Sequence, residues 1–230
     1  MDKRLAIVIP VWNNWNFTKR ALQSLSKLPN DHLIIVVDNS SSDETKNLQS
    51  SDKVQVIHNK KNLWFAGGCN IGYTRAVELN YPNVMFLNND IKIMKDFDTW
   101  TNPIIEQIEK EECIAGPTVG CLDKNLNFVC EASKFPTKGV YYMSGWNISA
   151  SVTTWEKLKP LDHDGPWNTI FGFYHEDTDL GLTAQSKGIK LRVVSVPVKH
   201  FGKASSKKLG VNELFTKSRK IFIKTWMGKV

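Results

Sequence analysis

The sequence contains no run of 18 apolar residues, so no segment of it reads as a membrane-spanning helix. Its four cysteines, at positions 69, 113, 121 and 130, form no C-x-x-C pair and have no histidine at zinc-finger spacing. That pattern argues against a structural zinc site or a disulfide framework and fits a reducing, cytoplasmic setting. No internal repeat, low-complexity block or linker-like shift in composition divides the 230 residues, so one domain is expected. The N-terminal MDKRLAIVIPVW starts basic, but its apolar run is short, contains Pro10 and lacks a small-residue cleavage site. It reads as a first strand rather than a signal peptide.

What is present is an excess of basic residues, 30 Lys and Arg against 23 Asp and Glu, for a net charge of +7. A positive surface points to an anionic partner: a nucleotide, a lipid surface or a nucleic acid. The charge alone does not choose among them.

Apolar runs alternate with segments of helical period. Strands are expected at LAIVIPV (5–11), HLIIVVDNS, KVQVIH and NVMFLN, and helices at FTKRALQSLSKL (17–28), SSDETKNLQ with Ser41 and Glu44 in capping-box spacing, and GCNIGYTRAVEL. This order predicts an α/β protein with a mostly parallel central sheet flanked by helices, and a site at the carboxyl ends of the strands. Beyond it, IAGPTVG reads as one strand, CLDKNLNFV as a hairpin turning at Asp123 to Asn125, and GVYYMSGWNISAS as one strand meeting a short helix at VTTWEKL. A helix ending at Gly188, a strand LRVVSVPV and a basic, aromatic C-terminal helix complete the chain.

Three strand ends carry polar residues: Asn13, then Asp38 with Asn39 and Ser40, then Asn88 to Asp90. Each set also suits a turn, but three ends of one sheet agreeing favours a shared ligand.

In order and spacing, VIPVWNN, VVDNSSSDET, NLWFAGGCNIG, FLNND, FYHEDTDLGLTAQSKG and VKHFGKASS resemble family 2 glycosyltransferases of the GT-A fold, closest to a rhamnosyltransferase-like group. The resemblance covers nearly the whole chain. It implies one GT-A domain, with a nucleotide-sugar half over about 1–95 and an acceptor half over about 96–230. The implied activity is inverting, metal-dependent transfer of a hexosyl or pentosyl group from a UDP- or dTDP-type nucleotide sugar to an acceptor hydroxyl. Asn88-Asn89-Asp90 stands where the family carries D-x-D, so Asp90 would hold a divalent cation, Mn²⁺ or Mg²⁺, with His200 as a further ligand. A neutral Asn88 in place of the first carboxylate implies weaker metal binding. Pro10, Asn13, Asp38 and Asn39 would border the nucleoside, Asp38 accepting an N–H from the base. Gly67, Gly68 and Asn70 would approach ribose and phosphate at a helix N-terminus, near Asn88 and Asn89, and Lys199 and Lys203 would steady phosphate oxygens. Asp177 would be the base and Glu176 would orient the acceptor, with Trp146 and Trp167 as acceptor-side aromatic faces. Asp179 reads as a helix N-terminal residue, and Trp100 and Trp155 as core.

The acceptor implied by default is a glycan or a lipid-linked saccharide, with the enzyme cytoplasmic or peripheral at the membrane surface. The basic charge, with Lys203, Lys207, Lys208, Lys217, Arg219, Lys220 and Lys224 near the C-terminus, leaves open a phage-type enzyme that glycosylates a modified base in DNA within the host cytoplasm. A non-catalytic nucleotide-sugar binding protein is the remaining alternative.

Overall fold

The computed structural model describes residues 2–29, 31–172, 174–202 and 212–230. Seven strands form the main sheet in the order β11-β6-β10-β4-β1-β2-β3. They are β1 (Leu5–Val11), β2 (Leu33–Asp38), β3 (Val54–His58), β4 (Asn83–Leu87), β6 (Cys113–Gly116), β10 (Asn147–Ser151) and β11 (Lys190–Val193). Strands β3, β2, β1 and β4 run parallel, as do β6 and β11, while β10 is antiparallel to both of its neighbours. The expectation of a mostly parallel sheet holds, and strands from both halves of the sequence share it.

The central strands form because their apolar runs can be buried on both faces. In β1, Leu5, Ile7, Ile9 and Val11 point to one side, among α1 (Trp15–Ser24) and α3 (Phe97–Lys110) with Trp100 and Ile104. Ala6 and Val8 point to the other, among α2 (Trp64–Glu78), α4 (Val152–Leu158) and α5 (Glu176–Ser186), with Phe86, Trp155 and Trp167. Each fully buried aliphatic side chain contributes about 1.5–3 kcal/mol, so these two layers hold the strand ends in fixed positions.

Smaller sheets complete the architecture. β5 (Ile91–Ile93) pairs antiparallel with β12 (Val198–His200), and β8 (Phe128–Ala132), β7 (Val119–Leu122) and β9 (Val140–Met143) form a three-stranded sheet. A third apolar cluster joins that sheet to α6 (Asn212–Trp226) through Leu122, Tyr142, Leu182, Phe222 and Trp226.

Several boundaries differ from expectation. IAGPTVG is two strands, β6 and β7, separated at Pro117, which has no N–H to give to a ladder. GVYYMSGWNISAS is also two strands, β9 and β10, parted by Ser144, Gly145 and Trp146. The segment after β2 makes only a 3₁₀ turn, Glu44–Asn47, capped by Asp43, whose Oδ1 accepts from Thr45 N at 3.0 Å. Ser41 is not its cap; the Ser41 hydroxyl accepts from Asn13 N at 2.7 Å. Helix α1 stops at Ser24, four residues before the expected end.

Candidate active site

Strands β4, β1 and β2 are neighbours, so the polar residues at their carboxyl ends meet on one edge of the sheet. At the β2 end Asp38 is 2% exposed. Its Oδ1 accepts from Ser41 N at 3.0 Å and its Oδ2 pairs with His58 Nδ1 at 2.9 Å. His58 Nε2 lies 3.0 Å from the Leu48 carbonyl. Both ring nitrogens therefore face acceptors, which only the imidazolium satisfies with two donors, and the Asp38 bond raises the His58 pKa accordingly. Sequence reading missed His58; its one signal was its place at the end of the strand beside β2.

The neighbouring amides build walls. Asn13, in the left-handed region, accepts from Ser42 N at 2.8 Å. Asn39 donates to Trp64 O at 3.0 Å and accepts from Asn59 Nδ2 at 2.9 Å. Pro10 is buried on β1, and a Cβ on Gly68 would meet its Cβ at 3.0 Å and Asn39 Nδ2 at 2.8 Å, so only glycine lets α2 lie this close.

Three expectations are corrected here. Helix α2 begins at Trp64, so Gly67 and Gly68 lie inside its first turns instead of presenting free amides at its start; Gly67 packs on Leu63. Asn70 is 6% exposed, donating to Trp167 O at 2.8 Å and accepting from Trp167 N at 3.0 Å, so its amide clamps the 165–167 loop rather than facing a phosphate. Trp167 is fully buried against Phe65 and Phe86 and offers no face to an acceptor. Lys203, Lys207 and Lys208 lie outside the described residues, and Lys199 sits over the Phe201 ring.

At the β4 end, Asn89 donates to Thr18 Oγ1 at 2.9 Å and Asn88 N donates to Trp146 O at 2.8 Å. Asp90 is 4% exposed. The β5–β12 pairing carries His200 to it across 110 positions, with Nε2 3.2 Å from Asp90 Oδ1 and Phe201 N donating to Asp90 O at 2.8 Å. Burial works against the Asp90 charge, but the hydrogen bond and charge of His200 outweigh it and hold the carboxyl below its ordinary range.

This pair fits a divalent cation. Two ligands at about 2.1 Å on adjacent octahedral positions sit about 3 Å apart, close to the separation seen. Among the described residues no group of three or more His, Cys, Asp or Glu could hold a metal, so the protein would supply two ligands and leave the rest of the shell to water and ligand oxygens.

Linked to this pair through Gly145, whose N donates to Asp177, and Trp146, whose ring stacks on His200, is the start of α5, reached through Tyr174 and His175, both in the left-handed region at φ 64° and 72°. Such backbone costs about 1–3 kcal/mol per residue and persists only where the surroundings impose it. His175 stacks on Phe222 of α6 at 4.9 Å, and burial pushes its pKa down to about 4, so the ring is neutral. Asp177 accepts from Thr178 N at 2.8 Å and Gly145 N at 3.1 Å. A Cβ on Gly145 would stand 2.9 Å from Asp177 Cβ.

Glu176 is half-buried, yet its Oε2 is enclosed with no hydrogen-bond partner among the described residues. Burial, then the charge of Asp177, push its pKa up to about 8. Burial raises Asp177 as well, against its hydrogen bonds. Asp177, with donors on its carboxyl, is the better placed of the two to keep the negative charge, and Glu176, with its Oε2 unpartnered, the better placed to keep the proton. Asp179 lies in the first turn of α5, as expected, and is buried there, accepting from Trp226 Nε1 at 2.7 Å and Asn168 Nδ2 at 3.3 Å. Trp146 is also nearly enclosed, 7% exposed, with its ring against His200.

A mostly parallel α/β sheet with carboxylates, amides and a histidine gathered at the carboxyl ends of its strands is the arrangement at which open α/β sheets bind ligands. The model of the family described as glycosyl transferase family 2 matches residues 6–154, and the chain belongs to that family. Among solved structures, the chain is similar to the mannosyltransferase PcManGT from Pyrobaculum calidifontis in complex with GDP-Man and Mn²⁺, with TM-score 0.60 and 14% identity over 88% of this chain and 58% of that one. It is also similar to S. aureus TarS 1-349, with TM-score 0.56 and 15% identity over 85% of this chain and 59% of that one. At these identities the likeness is one of fold, and the chain spans less than two thirds of either neighbour. No curated protein matches the sequence.

Proposed function

We propose that the chain transfers a sugar from a nucleotide sugar to an acceptor hydroxyl with inversion. The observation that carries this reading is the contrast between two adjacent carboxyls, Asp177 on three donor contacts and Glu176 with an enclosed Oε2 that has no partner among the described residues, linked through Gly145 and Trp146 to the Asp90 and His200 pair. Asp177 takes the proton of the attacking hydroxyl as its oxygen bonds to the anomeric carbon, while the bond from that carbon to the diphosphate oxygen breaks. Glu176, as an acid, can donate a hydrogen bond to an acceptor oxygen and adds no second negative charge beside the base. A divalent cation on Asp90 and His200 would neutralise charge on the departing diphosphate. Inversion is proposed from the family resemblance and from a single base, Asp177, acting on the acceptor hydroxyl.

On the donor side, the buried Asp38 carboxylate, held by Ser41 and His58, is the group to accept an N–H from the base. UDP- and dTDP-sugars are the donors we propose. A glycan or lipid-linked saccharide is the proposed acceptor; no helix among the described residues is long and apolar enough to cross a membrane. Of the C-terminal cations expected to track DNA, Arg219 is bound to the β7–β8 turn at Asn125 and Asn127, which leaves less of that stripe for a phosphate backbone. A donor and acceptor screen read by mass spectrometry, with hydroxymethylated DNA among the acceptors, tests the reading. An acceptor gaining one glycosyl mass, with equal release of nucleoside diphosphate, is expected; no donor consumed with any acceptor would refute it.

A further inference from the structure

Trp146 touches His200 directly and the Asp90 segment at Asn88. Its ring lies parallel to the His200 imidazole, with centroids 4.6 Å apart and planes at 10°. Its carbonyl accepts from the Asn88 amide, two residues before Asp90. The indole is itself held from the opposite side. Nε1 donates to Glu131 Oε1 at 2.7 Å and to Thr118 Oγ1 at 2.9 Å, and the Thr118 hydroxyl donates onward to Glu131 Oε1 at 2.6 Å. An N–H given to a carboxylate is short and strong, so the ring cannot tip without losing it. The exposed Glu131 of β8 thus reaches through Trp146 to the histidine of another sheet.

We propose that Trp146 is the positioning residue of the Asp90 and His200 pair and that Glu131 and Thr118 lock its ring. The inference rests on the reading that this pair holds a divalent cation. With no third His, Cys, Asp or Glu ligand beside the pair among the described residues, the orientation of one imidazole bears directly on affinity. A ring pressed flat against an indole has lost the tilting that would turn Nε2 away from the ion. Groups that orient metal ligands in this way change affinity about 10- to 100-fold when removed.

The test is Mn²⁺ binding, measured by electron paramagnetic resonance of free Mn²⁺, with thermal unfolding alongside. Trp146→Leu removes both stack and N–H and should weaken binding about tenfold. Trp146→Phe keeps the stack and should recover most of the loss, and Glu131→Ala should give a smaller loss than Trp146→Leu, since Thr118 still accepts the N–H. If Trp146→Leu and Glu131→Ala bind Mn²⁺ as wild type does while Asp90→Ala loses it, the positioning role is overturned and the metal site stands. If Asp90→Ala binds Mn²⁺ unchanged, the metal reading itself falls, and the positioning role with it. Should Trp146→Leu not fold, the exposed Glu131→Ala carries the test: unchanged Mn²⁺ affinity there overturns the proposal.

Discussion

Glu176→Gln should make the protein more stable at pH 8 than wild type, by an amount that vanishes at low pH. The native carboxyl titrates at about 8 against an ordinary 4.5. Between those values the native state holds a proton that the unfolded chain has released, so stability falls as pH rises through the window and levels off above it. At about 1.36 kcal/mol per pKa unit the full effect is roughly 5 kcal/mol; partial exposure of Glu176 and relaxation around Oε2 reduce it to about 2–3 kcal/mol. Glutamine fills the same space without a charge to desolvate. Urea unfolding of both proteins at pH 4.5, 6, 7 and 8 would read the difference directly. A gap that opens steadily with pH is expected; a constant gap, or a variant less stable at pH 8, would refute the protonated state of Glu176 and the assignment of charge to Asp177.

Asp177→Asn preserves shape and removes the proton acceptor, so turnover should fall about 10²-fold or more with donor affinity unchanged; near wild-type turnover would move the base elsewhere. Gly145→Ala puts a methyl 2.9 Å from Asp177 Cβ, and a displacement of about 1 Å should cost turnover about 10²-fold while Mn²⁺ and nucleotide affinities hold; unaltered turnover would show that this contact does not place the base. Trp226→Phe leaves Asp179 Oδ1 without its 2.7 Å donor and should cost about 1–3 kcal/mol in urea unfolding, with no change in stability contradicting the buried anchor.

The strand ends were legible because chain order places them: alternating strands and helices put Asp38 and Asn88 to Asp90 on one edge whatever the packing detail. Side-chain destinations were not, because they depend on contacts far apart in sequence. Asn70 reads as a phosphate donor until Trp167, 97 positions away, takes both ends of its amide. Trp167 reads as a sugar platform until Phe65 and Phe86 enclose it. Glu131 and His58 carry no local signature, one in an exposed strand and one at a strand end, and gain a role only through Trp146 and Asp38. Asp177 and Glu176 were visible as a pair, but the division of charge between them follows from the Gly145 amide, 32 positions away, and the enclosure of Oε2.

Donor turnover with and without metal bears most directly on the claim that Asp90, His200 and Asp177 form one transfer site. Wild type, Asp90→Ala and Asp177→Asn would be incubated with UDP-, dTDP- and GDP-sugars and an acceptor panel in Mn²⁺ and in EDTA, with released nucleoside diphosphate quantified. The account predicts release by wild type in Mn²⁺, its loss in EDTA and in Asp90→Ala, and a fall of about 10²-fold in Asp177→Asn. Equal release by all three folded proteins, or full release in EDTA, would contradict it.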